Sequence, residues 1–266
     1  MHRPPWERRP WRLDVAVGVV FAVLVIALIV TIPKTPTLSL QVATLPPTTS
    51  LTAAPTTSPT LVVPTPPPRD VPPGPLPEVL TRVPTTDPVV FLTIDDGAVK
   101  DPEVLAKIRQ AKVPVSLFLV ESEARADVGY FADLVAAGAS IQNHALTHPD
   151  LRTLSPAAQA REVCGWTTLG PQLFGGKAPT LFRPPFGYFD DSVRRAAAGC
   201  GFSTMVLWHA TVNDGVLLIQ GREKLLPGDI ILMHFRPDLS ENLSVVFAAL
   251  AAEGLGVGRL EDYVRR

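Results

Sequence analysis

Val89-Val90-Phe91-Leu92-Thr93-Ile94-Asp95-Asp96-Gly97 is the stretch that decides the fold of this chain. From Val89 to Ile94 the residues are apolar or β-branched, and the run then ends abruptly in two carboxylates and a glycine. A short, continuous apolar run closed by turn residues reads as a strand buried on both faces. Such strands belong to parallel sheets covered by helices, so the stretch predicts that strands and helices alternate along the rest of the chain.

That alternation is present downstream. Helical patterns run over Pro102 to Ala111, over Ala124 to Ala137 (stopped by Gly138), over Pro156 to about Leu173 with Ser155 as N-cap, over Asp190 to Ala198 capped by Gly199, and over Asn242 to Ala252 ended by Gly254. Between them, Pro114 to Val120, Ser140 to Ala145, Leu181 to Gly187, Ser203 to Thr211 and Asp229 to Phe235 read as strands, with a further one near Leu255 to Leu260. The expectation is an α/β domain over residues 89–266, built as a small, distorted or incomplete parallel (β/α) barrel. Asp95, Asp96, His144, His148, Arg183, Asp214 and His234 all fall at or just beyond strand C-termini. In parallel barrels these ends converge on one mouth, where active sites form.

Two of these groups carry metal-site chemistry. His144-Ala145-Leu146-Thr147-His148 spaces two imidazoles four residues apart, and in a helical turn both would face one ion. Gly97 allows a sharp turn, so Asp95 and Asp96 need not point to opposite faces as strand neighbours do. One carboxylate can then ligate while the other stays free as a base. Two His and one Asp leave a position open for water, the pattern of a catalytic zinc site.

With these motifs in view, the sequence resembles the NodB-type polysaccharide deacetylases, carbohydrate esterase family four. The resemblance rests on Thr93-Ile94-Asp95-Asp96-Gly97, on His144-Ala145-Leu146-Thr147-His148, on Arg183-Pro184-Pro185-Phe186-Gly187, and on Leu232-Met233-His234 within Pro227 to His234. It implies one divalent metal ion, usually zinc, held by Asp96, His144 and His148. It implies Asp95 as general base, Arg183 orienting that base, and His234 as the acid that protonates the leaving amine. The backbone N–H of Phe186 would help hold the oxyanion, typically worth about 3 kcal/mol per donor, and Leu232 would line a pocket for the acetyl methyl. The fourth family motif departs from the pattern. In Trp208-His209-Ala210-Thr211-Val212-Asn213-Asp214-Gly215, Gly215 replaces a Trp and Thr211 an Asp, while Asp214 fits the residue that supports the catalytic His. The implied activity is hydrolysis of N-acetyl groups on a cell-wall polysaccharide, peptidoglycan foremost. O-deacetylation of xylan or another acetylated glycan, and a catalytically impaired glycan-binding module, are the alternatives.

Outward from the domain, composition changes sharply. Most of the 29 prolines precede residue 90. Residues 33–88 are dominated by Pro, Thr and Ser and predict a disordered linker, extended where polyproline II forms. Residues 15–32 are uncharged and almost entirely aliphatic, and eighteen helical residues span roughly 27 Å, close to a bilayer core. Pro33, Lys34 and Thr35 follow in place of a small-residue cleavage site, so the span reads as an uncleaved transmembrane anchor, with a cleaved signal peptide as its rival. Arg3, Arg8, Arg9 and Arg12 put residues 1–14 in the cytoplasm and the domain outside the cell membrane. The net charge of −1 argues against a nucleic-acid partner. The expected partners are the polysaccharide and the membrane, and the chain is expected to act as a monomer. Outside the membrane Cys164 and Cys200 are free to form a disulfide, or remain two buried thiols.

Overall fold

A computed structural model describes residues 75–176 and 178–264. The expected cytoplasmic segment, the anchor and the linker up to residue 74 lie outside the described residues. Among the described residues no helix is long and apolar enough to cross a membrane.

The central strand is β2 (Val89–Asp96). Its side chains alternate between faces, and each face has its own burial partner. Val90, Leu92 and Ile94 join Val104, Ile108, Phe131 and Val246 in a cluster beneath the helices. Phe91 joins Phe118, Leu181, Val206 and Ile230 in a second cluster on the opposite face, inside the barrel. Two covered faces account for a strand with no polar residue before Thr93.

β2 pairs in parallel with β3 (Ser116–Leu119) on one side and β8 (Ile230–His234) on the other. β4 (Ser140–Asn143) extends the sheet beyond β3, and β6 (Ala210–Asn213) beyond β8, again in parallel. The short β9 (Gly256–Val257) pairs with the start of β2. A separate parallel pair is formed by β1 (Glu78–Leu80) and β5 (Thr204–Val206). Phe182 bridges Asn143 on one side and Met205 on the other, linking β4 to β5 by a single residue. The ring then returns to β6 through the chain itself, with His209 N–H bonded to the Ile230 carbonyl. The result is a barrel closed by isolated bridges where a regular one has full strand pairs.

Several elements differ from the expectations, each for a physical reason. The linker was expected to reach residue 88, but Glu78–Leu80 pairs with β5, and Leu80 and Val83 are buried. Leu181 to Gly187 is reduced to the Phe182 bridge, because Pro184 and Pro185 have no N–H to give a ladder. Ser203 to Thr211 breaks into β5 and β6 where the chain changes partner from β1 to β8. The helix expected over Ala124 to Ala137 is two, α2 (Glu121–Ala126) and α3 (Val128–Ala136), separated at Asp127, whose side chain accepts from the Tyr130 N–H. The stretch from Leu255 becomes β9 and a one-turn helix, Leu260–Tyr263. A further strand lies where the sequence predicts none. β7 (Val216–Ile219) folds back antiparallel on β6 through Asp214 and Gly215, both at positive φ, 49° and 70°. That is the two-residue turn that an Asp-Gly pair favours.

Of the remaining long helices, α1 (Pro102–Ala111) starts on the Asp101 cap and α4 (Pro156–Phe174) on the Ser155 cap. α5 is Asp191–Gly199 and α6 is Leu239–Glu253. Cys164 on α4 and Cys200 at the end of α5 are joined by a disulfide, which decides between the two readings of these residues.

Candidate active site

The alternation of β2 places Asp95 on the barrel interior, beyond Phe91 and Thr93. Asp96 would then face the helices, were its backbone extended. Its φ is 74°, so the strand twists at Asp96 itself, before Gly97 at 105°. The twist brings both carboxylates to one mouth, in unlike surroundings.

Asp95 is buried and ion-paired. Arg183 Nη1 donates to its Oδ1 at 2.5 Å. Arg183 is itself fully buried, with Nη1 also donating to Thr93 Oγ1 at 3.0 Å, Nε to the Val206 carbonyl at 3.0 Å and Nη2 to the Leu207 carbonyl at 3.1 Å. Its guanidinium lies over the Phe118 ring at 4.2 Å. Burial pushes the Asp95 carboxyl above its usual range, against the lowering by Arg183 and by His234. A carboxylate so raised, yet held in one orientation, suits a general base. Thr93 is a member of this site that its motif did not single out. Its hydroxyl donates to the Ile231 carbonyl at 2.8 Å and accepts from Arg183, so it fixes the guanidinium from below.

Asp96 faces the histidines. Its Oδ1 lies 3.6 Å from His144 Nε2 and 3.5 Å from His148 Nε2, and one ligand atom from each of the three residues falls within 4.8 Å of the others. His144 Nδ1 sits 2.8 Å from the Arg183 carbonyl. Donation of Nδ1–H there leaves the Nε2 lone pair on the side of the two carboxylates, 3.6 Å from both Asp95 Oδ2 and Asp96 Oδ1. Burial, then the neighbouring His148, lowers the His144 pKa to about 3, which keeps the ring neutral as a ligand must be. Two ligand atoms each about 2.1 Å from a tetrahedral zinc stand about 3.4 Å apart. The Asp96–His separations are close to that figure, so these residues fit a divalent ion. The segment that presents the histidines is not the expected helical turn. It is a loop with Ala145 at φ 68° and His148 at φ 59°, and the residues come together through those twists rather than through helical spacing.

The other expected residues divide. His234 ends β8 directly beside Asp95 in the sheet register. Burial lowers its pKa, against raising by Asp95 and Asp96. Leu232, two residues earlier on the same strand face, is buried beside Thr93. Phe186 is half exposed (49%), adopts φ 60°, and its ring stands 4.5 Å from that of His148. Asp214 does not reach His234. It occupies the β6–β7 turn, with its N–H bonded to Asp238 Oδ2 at 2.7 Å. His234 Nδ1 is buried with no hydrogen-bond partner among the described residues. The hairpin forces this, since the turn conformation that suits Asp-Gly commits Asp214 to the loop tip.

The site can therefore offer a metal-ligand triad, a buried carboxylate beside it, and an imidazole at the end of the neighbouring strand. The chain is similar to known proteins. A family model described as polysaccharide deacetylase matches residues 82–205. An uncharacterized protein of Streptomyces coelicolor is 44% identical over 195 residues, which cover 71% of this chain and 78% of that protein. A peptidoglycan-N-acetylglucosamine deacetylase of Bacillus cereus is 29% identical over 184 residues, 65% of this chain and 83% of that enzyme. Among solved structures, a family 4 carbohydrate esterase from Streptomyces lividans, in complex with acetate, gives a TM-score of 0.57 at 26% identity, covering 66% of this chain and 94% of that one.

Proposed function

The chain belongs to the polysaccharide deacetylase family, carbohydrate esterase family four, and from that premise we propose that it removes N-acetyl groups from a cell-wall glycan, peptidoglycan foremost. The observation that carries this reading is the division of labour between two adjacent carboxylates. Asp95 is tied to Arg183, while Asp96 stands with His144 and His148.

Asp96, His144 and His148 would hold the ion, zinc on this donor set. When bound it supplies positive charge that makes water acidic and polarises the acetyl carbonyl. Asp95 takes the proton of the attacking water, and Arg183 keeps its second oxygen occupied so that only one is free to do so. The backbone N–H of Phe186 would serve as a donor to the developing oxyanion. His234 gives a proton to the leaving amine, which an amide needs far more than an ester. Leu232 lines the wall beside the acetyl methyl.

We place the domain outside the cell membrane, tethered by residues 15–32 with residues 1–14 in the cytoplasm. The Arg-rich start and the aliphatic span support this, as does the Cys164–Cys200 disulfide, which persists in oxidising compartments. Protease added to intact cells with opened walls would release the domain, and a mature protein beginning after Ile32 would refute the anchor.

Acetate release from peptidoglycan, chitin oligomers and acetylxylan, with and without added zinc, tests the activity. Release from peptidoglycan that depends on zinc is the expected result. Release from acetylxylan alone would favour O-deacetylation. Binding of glycan with no acetate from any polymer would favour a glycan-binding module, a reading to which the unpartnered His234 Nδ1 lends some weight.

A further inference from the structure

The loop from His144 to His148 poses a question of its own. Two of its non-glycine residues are held in left-handed backbone, a conformation that persists only where surroundings enforce it. Its backbone N–H groups show where the enforcement lies. His144 N–H bonds to the Leu119 carbonyl, and Ala145 N–H to Asn143 Oδ1 at 2.8 Å. The next two both go to one carboxylate. Leu146 N–H and Thr147 N–H donate to Glu162 Oε2 at 3.1 and 2.9 Å, and the Thr147 hydroxyl donates to Glu162 Oε1 at 3.0 Å.

Glu162 lies on α4 and is buried, 9% exposed. No cation pairs with it among the described residues. All three of its donors come from the two residues between Ala145 and the second histidine. Hydrogen bonds to an ionised acceptor are about twice as strong as neutral ones. α4 also presses close at this turn. A Cβ on Gly165 would meet Leu146 at 2.7 Å, and the Val163 carbonyl accepts from Asn143 at 2.8 Å.

We propose that Glu162 is a positioning residue for the metal site, acting through Leu146 and Thr147 to hold His144 and His148 at ligand spacing. The inference rests on the metal reading above. A carboxylate here fixes the one peptide stretch whose conformation sets the distance between the two imidazoles. Replacing it with an amide removes the charge: the two N–H groups are left with a neutral and weaker acceptor, and the Thr147 hydroxyl has to turn from donor to acceptor.

The test is zinc binding by the full chain, measured by competition with a chromophoric chelator at a temperature where circular dichroism shows every variant fully folded. Glu162→Gln should bind zinc about 10- to 100-fold more weakly, the usual effect of losing an outer-shell partner of a metal ligand. Arg161→Gln, at the exposed neighbouring position, should bind as the wild type does. Wild-type affinity in folded Glu162→Gln would overturn the proposal. Should Glu162→Gln not fold, Thr147→Val decides, since it removes only the hydroxyl donor. It should weaken zinc binding several-fold, and unchanged binding would overturn the proposal equally. A wild-type chain that binds no zinc would instead overturn the metal reading and the role of Glu162 with it.

Discussion

Removing Arg183 should destabilise the fold in a way that depends on pH, and Arg183→Met isolates the effect. The side chain is fully buried and its nitrogens serve Asp95, Thr93 and the carbonyls of Val206 and Leu207. Breaking a buried ion pair from one side typically costs about 3–5 kcal/mol. Each orphaned carbonyl adds about 1–3 kcal/mol unless water enters. Against a total stability of about 5–15 kcal/mol, the variant should be marginal at pH 7. The sign of the pH effect follows from Asp95. Burial already raises its folded pKa, and loss of Arg183 removes the largest opposing influence. Below the unfolded pKa of about 3.9 both states carry the proton and this part of the penalty vanishes. As pH rises past that value the unfolded chain releases its proton while the folded Asp95 retains it, so the penalty grows until the folded pKa is reached. Urea unfolding of wild type and variant between pH 4.5 and 7.5 measures the difference. Asp95→Asn combined with Arg183→Met should cost clearly less than the two single changes added together. A penalty that is flat with pH, or that adds simply in the double variant, would refute the ion-pair argument.

The paired carboxylates should separate cleanly in metal analysis. Asp95→Asn should keep stoichiometric zinc and lose about 100- to 10,000-fold in turnover, whereas His148→Ala should lose the zinc itself, and full occupancy in the latter would remove His148 from the ligand set. His234→Ala should harm hydrolysis of an N-acetyl amide much more than that of an activated acetate ester; equal losses on both would mean that the imidazole does not protonate the leaving group. Changing Cys164 and Cys200 together to Ser should lower the unfolding free energy by about 3–4 kcal/mol, given the sequence separation of 36 residues, and an unchanged denaturation midpoint would show the bridge to be dispensable.

Much of this architecture is legible before any coordinates. The β2 run, with its terminal carboxylates, carries both the fold class and the location of the mouth, because burial on two faces writes itself into an unbroken apolar stretch. What stays hidden depends on tertiary partners or on a local pattern that two conformations satisfy. The His-x-x-x-His spacing looks helical, yet positive φ at Ala145 and His148 achieves the same convergence in a loop. Glu78–Leu80 lies between prolines and resembles the linker before it; only its pairing with β5 makes it a strand. Asp214-Gly215 carries two signals, a hairpin turn and a family-motif position, and the structure realises the turn. Glu162 could not be found at all, since its partners sit on another element and nothing local marks it.

The position of β8 has a consequence for how the chain matures. β8 sits between β2 and β6 in the sheet, although it is made after most of the domain. A chain delivered N-terminus first therefore presents β2 with one edge unpaired until Ile230–His234 arrives. An apolar strand with an open edge is a template for wrong pairing. The same late arrival withholds His234, so the nascent domain holds Asp95, Asp96, His144 and His148 before the imidazole that ends β8. Completion of the candidate site and protection of the sheet edge come together, in one insertion event near the end of synthesis.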